Sequence, residues 1–154
     1  MAQPSTATTK AIYRAIQLRM LTFEPEAGGA TPTLAERLPG GISPIVVPDN
    51  APAPYFAIRL QNVRGNLMEK GSRLTAECEL MAFNRPRDQA DELEELVDVA
   101  DQAMRGWSGV ISCVGWKRDT LPPLGDADDP ELVRIRVIYD LIIRPSFLTR
   151  YVDV

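Results

Sequence analysis

Between Arg73 and Gly106 the hydrophobic period changes from two residues to about 3.6, the signature of a strand that leads into an amphipathic helix. Leu74, Ala76, Cys78, Leu80 and Ala82 alternate with Arg73, Thr75, Glu77, Glu79 and Met81, so the strand has one apolar and one largely polar face. In the helix, Ala90, Leu93, Leu96, Val97, Ala100 and Met104 form one stripe, and Asp91, Glu94, Glu95, Asp98 and Asp101 are read onto the opposite side. An uncharged stripe following an apolar strand face predicts a helix laid on a sheet.

The flanking segments extend this plan. Ile12, Ala15, Ile16 and Met20 predict a first helix over 8–22, capped by Thr8 or Thr9 and ended at Phe23-Glu24-Pro25. From 24 to 54 the Gly28-Gly29 and Gly40-Gly41 pairs and Pro44, Pro48, Pro52 and Pro54 predict a Pro/Gly-rich loop, with one helical turn over Leu34–Leu38. Loops of that length are commonly used for contact. Tyr55–Leu60 reads as a strand paired with Arg73–Phe83 through a long hairpin tip at 62–72. Asn84 and Pro86 open the second helix, Arg87–Arg105, and Asp88, Asp91 and Glu92 suit the positive end of its dipole.

Val110–Val114 resumes extended structure, a Pro- and Asp-rich loop follows over 120–130, and the clearest strand comes last. There Val133, Ile135, Val137, Tyr139, Leu141 and Ile143 alternate with Arg134, Arg136, Ile138, Asp140, Ile142 and Arg144. The fold expected is α+β, a mostly antiparallel sheet of about four strands with two main helices on one face, in the order α-β-β-α-β-β. If the first set of the last strand faces the helices, Ile138 and Ile142 lie on the far side, where either a second buried surface or cover by the long loop or the C-terminal tail accounts for them. The segment 145–154 is apolar for a terminus, with Phe147, Leu148, Tyr151, Val152 and Val154, and is expected to dock on its own domain or a neighbour.

Composition narrows the chemistry. The 154 residues, 45% hydrophobic and 25% charged, fit one domain able to bury roughly two thirds of its unfolded surface. The chain has no histidine, which removes the commonest general base, the Ser-His and Cys-His dyads and most zinc sites. Cys78 and Cys113 lie in strand-like alternations without a partner at metal-ligand spacing and read as reduced sheet residues. A formal charge of −4 argues against a general grip on nucleic acid, although an acidic wall can let DNA pass by repelling it. No stretch has the length and apolarity of a membrane span, and no charged and apolar leader opens the chain, so a soluble, cytoplasmically made protein is expected.

The candidate motifs have plainer readings. The i,i+4 pairs Asp91–Glu95 and Glu94–Asp98 suit a solvated or protein-binding face better than a metal or acid-base site. Gly125–Asp129 matches cation loops in composition but not in ligand order. Neither glycine pair precedes Lys-Ser or Lys-Thr, and no nucleophile elbow occurs. Arg134 and Arg136 mirror Glu77 and Glu79, which predicts cross-strand ion pairs if the two strands are neighbours. No catalytic residue, metal or cofactor is expected.

The proline-tyrosine entry at Pro54-Tyr55 into a strand, the hairpin, the helix Arg87–Arg105 and the long strand ending Ile142-Ile143-Arg144-Pro145 together resemble the tail terminator, or tail completion, proteins of long-tailed bacteriophages. The resemblance covers nearly the whole chain as one tail-terminator-like domain, 1–154. It implies a virion protein of the tail or neck, assembled in the host cytoplasm. Such a protein forms a homo-hexameric ring that caps the tail tube, stops its polymerisation and receives the head connector. Its partners would be its own copies, the tail tube protein and the neck proteins, with no membrane. Under that resemblance Ile138, Ile142, Phe147, Leu148 and Tyr151 are candidate subunit contacts, and Arg64, Asn66, Met68 and Lys70 would meet the tube or connector. Glu77 and Glu79 would line a lumen through which DNA slides without specific binding. The competing expectations are another head-tail connector protein, or a small dimeric α+β binding module.

Overall fold

The computed structural model describes residues 6–26, 28–29, 31–44, 51–65, 73–85, 90–121 and 133–148. The elements run α1 (Thr6–Thr22), α2 (Leu34–Arg37), β1 (Ile42–Pro44), β2 (Tyr55–Gly65), β3 (Leu74–Asn84), α3 (Ala90–Arg105), β4 (Ile111–Leu121) and β5 (Val133–Ile143). They form one five-stranded sheet in the order β1-β2-β3-β5-β4. Every pairing is antiparallel except β1 with β2. The fold is α+β as the periodicities predict, with five strands in place of the expected four.

The additional strand lies inside the segment expected to be loop. Ile42, Ser43 and Pro44 pair with Phe56, Ala57 and Ile58. Three residues ending in proline carry no readable alternation, yet an edge strand tolerates proline because its outward N–H needs no partner. Backbone contact delivers the strand: the Phe56 N–H donates to Gly41 O at 2.9 Å and the Gly40 N–H donates to Pro54 O at 3.3 Å. A Cβ on Gly40 would lie 2.2 Å from Pro52 O, so only glycine permits this approach. The single turn expected at Leu34 forms α2, and Leu34 is fully buried.

β3 is central, and its strict alternation is realised as alternating buried and half-buried residues along its whole length. Leu74, Ala76, Cys78, Leu80 and Ala82 join Ile135, Val137, Tyr139, Leu141 and Ile143 of β5 in the core beneath the helices. Leu93, Leu96, Val97, Ala100 and Met104 of α3 cover this face, and Ile12, Ile16 and Met20 of α1 extend the same core. α1 is tied down at three points. The Leu60 N–H donates to Tyr13 Oη at 2.8 Å, Gln17 Nε2 donates to Ile42 O at 2.7 Å, and Arg19 Nε donates to Ala103 O at 2.8 Å. The last bond satisfies a carbonyl in the final turn of α3, where a cation is also favoured by the helix dipole.

Two strands run further than their patterns predict. β4 reaches Leu121, past the expected Val114, because a register shift between Cys113 and Gly115 breaks the alternation and charged residues follow on this edge strand. β2 reaches Gly65, with a second shift between Gln61 and Arg64 where Asn62 takes φ 52°. The expected hairpin-tip residues Asn66, Met68 and Lys70, the helix start at Pro86 and Asp88, the Gly125–Asp129 loop, and Tyr151, Val152 and Val154 lie outside the described residues. Among the described residues no helix is long and apolar enough to cross a membrane.

Candidate functional site

The sheet face turned away from the helices is built by the odd-numbered residues of β3 and the even-numbered residues of β5. The register sets Thr75 opposite Ile142, Glu77 opposite Asp140 and Glu79 opposite Ile138. Ile138 and Ile142 are thus on the far face, half-buried, as the alternation predicts. Glu77 and Glu79, expected to line a lumen, share this face with the two expected interface isoleucines.

Glu79 lies between two cations. Arg59 Nη2 stands 3.4 Å from Oε1 and Arg136 Nε 3.0 Å from Oε2, and the Glu79 side chain is only 13% exposed. This is the cross-strand pairing that the Arg and Glu alternations predict, and it leaves Glu79 little outward field. Glu77 differs: its partner among the described residues is Asn62, whose Nδ2 donates to Oε1. Asp140 enters no ion pair there and faces Glu77 directly across the strands. At the far end of the face the Tyr55 and Phe83 rings stack with centroids 4.9 Å apart.

The irregularities of β2 and β4 fall at the same level of the sheet, on either side of the Glu77–Asp140 pair. Bulges bend and re-aim their strands. A concavity of about 470 Å³ lies between them, floored by Thr75, Glu77, Asp140 and Ile142 and rimmed by Val114, Asn62 and Arg64. Gly115 keeps this floor open, because a Cβ there would stand 2.8 Å from Asp140 Oδ2.

Phe147 and Leu148, expected as possible contacts with a neighbour, are drawn into the chain's own fold. A turn with Phe147 N–H donating to Arg144 O at 2.9 Å places the Phe147 ring in the core with no exposure, and Leu148 packs against the same core. That is a correction for Phe147: a fully enclosed ring offers no surface to another subunit.

A second correction concerns Asp101. The helical pattern places it with the solvated acids, but it is 8% exposed. The Tyr139 hydroxyl donates to Asp101 Oδ1, and Arg118 Nη1 lies 3.3 Å from Oδ2. Arg118 also reaches Asp98 at 2.7 Å and Glu94 at 3.9 Å, so one strand cation is shared among three of the helix's acids. Burial pushes the Asp101 carboxyl above its ordinary range, with the Tyr139 hydrogen bond and Arg118 opposing. Burial also raises the Tyr139 hydroxyl well above its usual value. A signal was present: Asp101 follows Leu93 and Val97 at four-residue steps, and Tyr139 belongs to the buried set of its strand, where a hydroxyl needs a partner. The cluster anchors α3 to β4 and β5, with both polar tips enclosed by their own partners.

Both cysteines are free. Burial raises the Cys78 thiol to about 12, and Cys113, half-buried with its thiol 3.4 Å from Gly115 O, is raised less. Iodoacetamide at neutral pH is expected to modify Cys113 slowly and Cys78 only after unfolding; mass mapping that finds Cys78 modified in the folded chain would contradict this packing. Among the described residues no group of three or more acidic or cysteine side chains is arranged to hold a metal ion.

No protein-family model matches the chain, and no curated protein matches it. Among solved structures it is similar to a chain of the virion of a native gene transfer agent particle, with a TM-score of 0.55 and 13% identity. The alignment covers 90% of this chain and 98% of that one. At that identity the likeness is one of fold.

Proposed function

We propose that this chain is a structural virion protein of a phage-like particle, a single tail-terminator-like domain that acts without catalysis or cofactor. In this reading, copies form a hexameric ring in the neck. The ring caps the tail tube, stops its polymerisation and presents a surface to the head connector while DNA passes without specific binding. The observation that carries it is the fold likeness to a virion chain over nearly the full length of both proteins.

The far sheet face fits an assembling role. It joins Ile138 and Ile142 to a concavity of uneven charge, whereas a solvated sheet face ordinarily alternates to polar residues throughout. A ring closes by heterologous contacts, so each subunit needs two different surfaces. The far sheet face supplies one of the two.

The test is the native mass of the purified protein by sedimentation, with negative-stain images of the same sample. A sixfold mass and rings with an open centre are expected. A discrete dimer without rings would replace this reading with the binding module.

A further inference from the structure

We infer that the concavity on the far sheet face receives the outer stripe of α1 from a second copy of this chain. α1 exposes Lys10, Arg14 and Leu18 at four-residue steps along one side, and Leu18 is 58% exposed. Neither cation enters an ion pair among the described residues. The concavity offers the complement in the same order across the strands: Val114 on β4, 62% exposed, then Asp140 on β5, then Glu77 on β3.

The spacings agree. Residues four apart on a helix stand about 6 Å apart along its axis, and neighbouring strands stand about 4.8 Å apart. A helix crossing the strands therefore places Leu18 on Val114 and Ile142, Arg14 on Asp140 and Lys10 on Glu77. The two bulged strands that form the rims are separated by three strand spacings, about 14 Å. That is wide enough for a helix about 10–12 Å across. Arg64, opposite Thr75 on β3, lies on the rim of the concavity and forms no ion pair with either acid among the described residues.

Neither half of the contact meets an opposite charge among the described residues of its own chain, where Glu77 has a hydrogen bond from Asn62. Glu77 and Asp140 are like charges placed directly opposite one another, an arrangement that disfavours the isolated sheet and that two incoming cations relieve. Leu18 and Val114 are two of three exposed large apolar side chains in the described chain, and each lies beside one of the charged patches. The contact joins different surfaces of successive copies, so it propagates around a ring. It rests on the ring reading only for the number of subunits.

The experiment is a charge exchange. The double variant Lys10→Glu/Arg14→Glu and the double variant Glu77→Lys/Asp140→Lys are each expected to associate about 100-fold more weakly than the unaltered chain. Mixed in equal amounts they are expected to reassemble, because the acidic helix of one fits the basic concavity of the other and the remaining pair is native. Circular dichroism verifies folding, and Glu77→Gln/Asp140→Asn replaces the lysine variant if that one misfolds.

Assembly of either double variant at native strength overturns the contact, as does a mixture that stays dissociated or an unaltered chain that stays monomeric at its highest soluble concentration. Hexamers indifferent to these charges would retain the ring and discard the contact. Particles of another symmetry that still show exchange would retain the contact and discard the sixfold reading.

Discussion

A Phe147→Ala chain is expected to lose about 3–5 kcal/mol of stability, which lowers Tm by about 6–20 °C for a domain of this size. The ring is fully buried, and the turn that carries it is held by the Phe147 and Leu148 N–H bonds to Arg144 and Pro145. The Arg144 N–H also donates to Val110 O at 2.9 Å, so the segment after β5 is fastened to the start of β4. Truncation leaves a cavity that this fastened backbone can collapse only in part. Thermal denaturation measures the loss, and a shift below about 2 °C, under 1 kcal/mol, would mean that the ring is not packed as described. Leu148→Ala, at a half-buried position, is the smaller companion change.

Tyr139→Phe is expected to cost about 1–3 kcal/mol at neutral pH, because it strips a donor from an almost buried carboxylate. The cost depends on pH in a defined direction. In the folded chain the Asp101 carboxyl is raised above its ordinary 3.8, first by burial, with the Tyr139 hydroxyl and Arg118 working against the rise. A raised folded pKa favours the folded state when the group is protonated. That contribution is complete below the unfolded value and is lost as pH climbs through the folded one.

Removing the hydroxyl takes away an opposing influence and lifts the carboxyl further. The variant therefore loses more stability than the parent as pH rises above the ordinary carboxylate range. Urea midpoints measured for both chains across that range should diverge with rising pH. In an Asp101→Asn background, which cannot titrate, the divergence should vanish. A Tyr139→Phe cost that is the same at every pH would remove Asp101 as the charged acceptor.

These side chains also show where local pattern stops informing. β3 and β5 were readable because a period of two sustained over 11 residues admits few alternatives, and the structure buries the expected set on both strands. α3 was readable for the same reason at the helical period, apart from its edge. Asp101 lies where the apolar stripe meets the acidic side, and its burial depends on Tyr139 and Arg118 arriving from strands 38 and 17 residues away. β1 was invisible because three residues ending in proline carry no period, and their pairing depends on the approach of Gly40 and Gly41 to the start of β2. The far half of β4 was hidden by the bulge that shapes the concavity, since an inserted residue shifts the alternation by which a strand is recognised.

Local pattern along the chain is enough to set the class of the fold, the buried faces of its central strands and principal helix, and the placement of Ile138 and Ile142 away from the helices. Those properties follow from periodicity, which neighbours along the chain are enough to set. Long-range packing alone sets three other features: Arg59 and Arg136 answer Glu79 while Glu77 and Asp140 meet no cation among the described residues, Phe147 belongs to the chain's own core, and two bulges align to hollow the sheet. Register, desolvation and bulge alignment depend on which distant segments meet and on what each must satisfy once water is excluded.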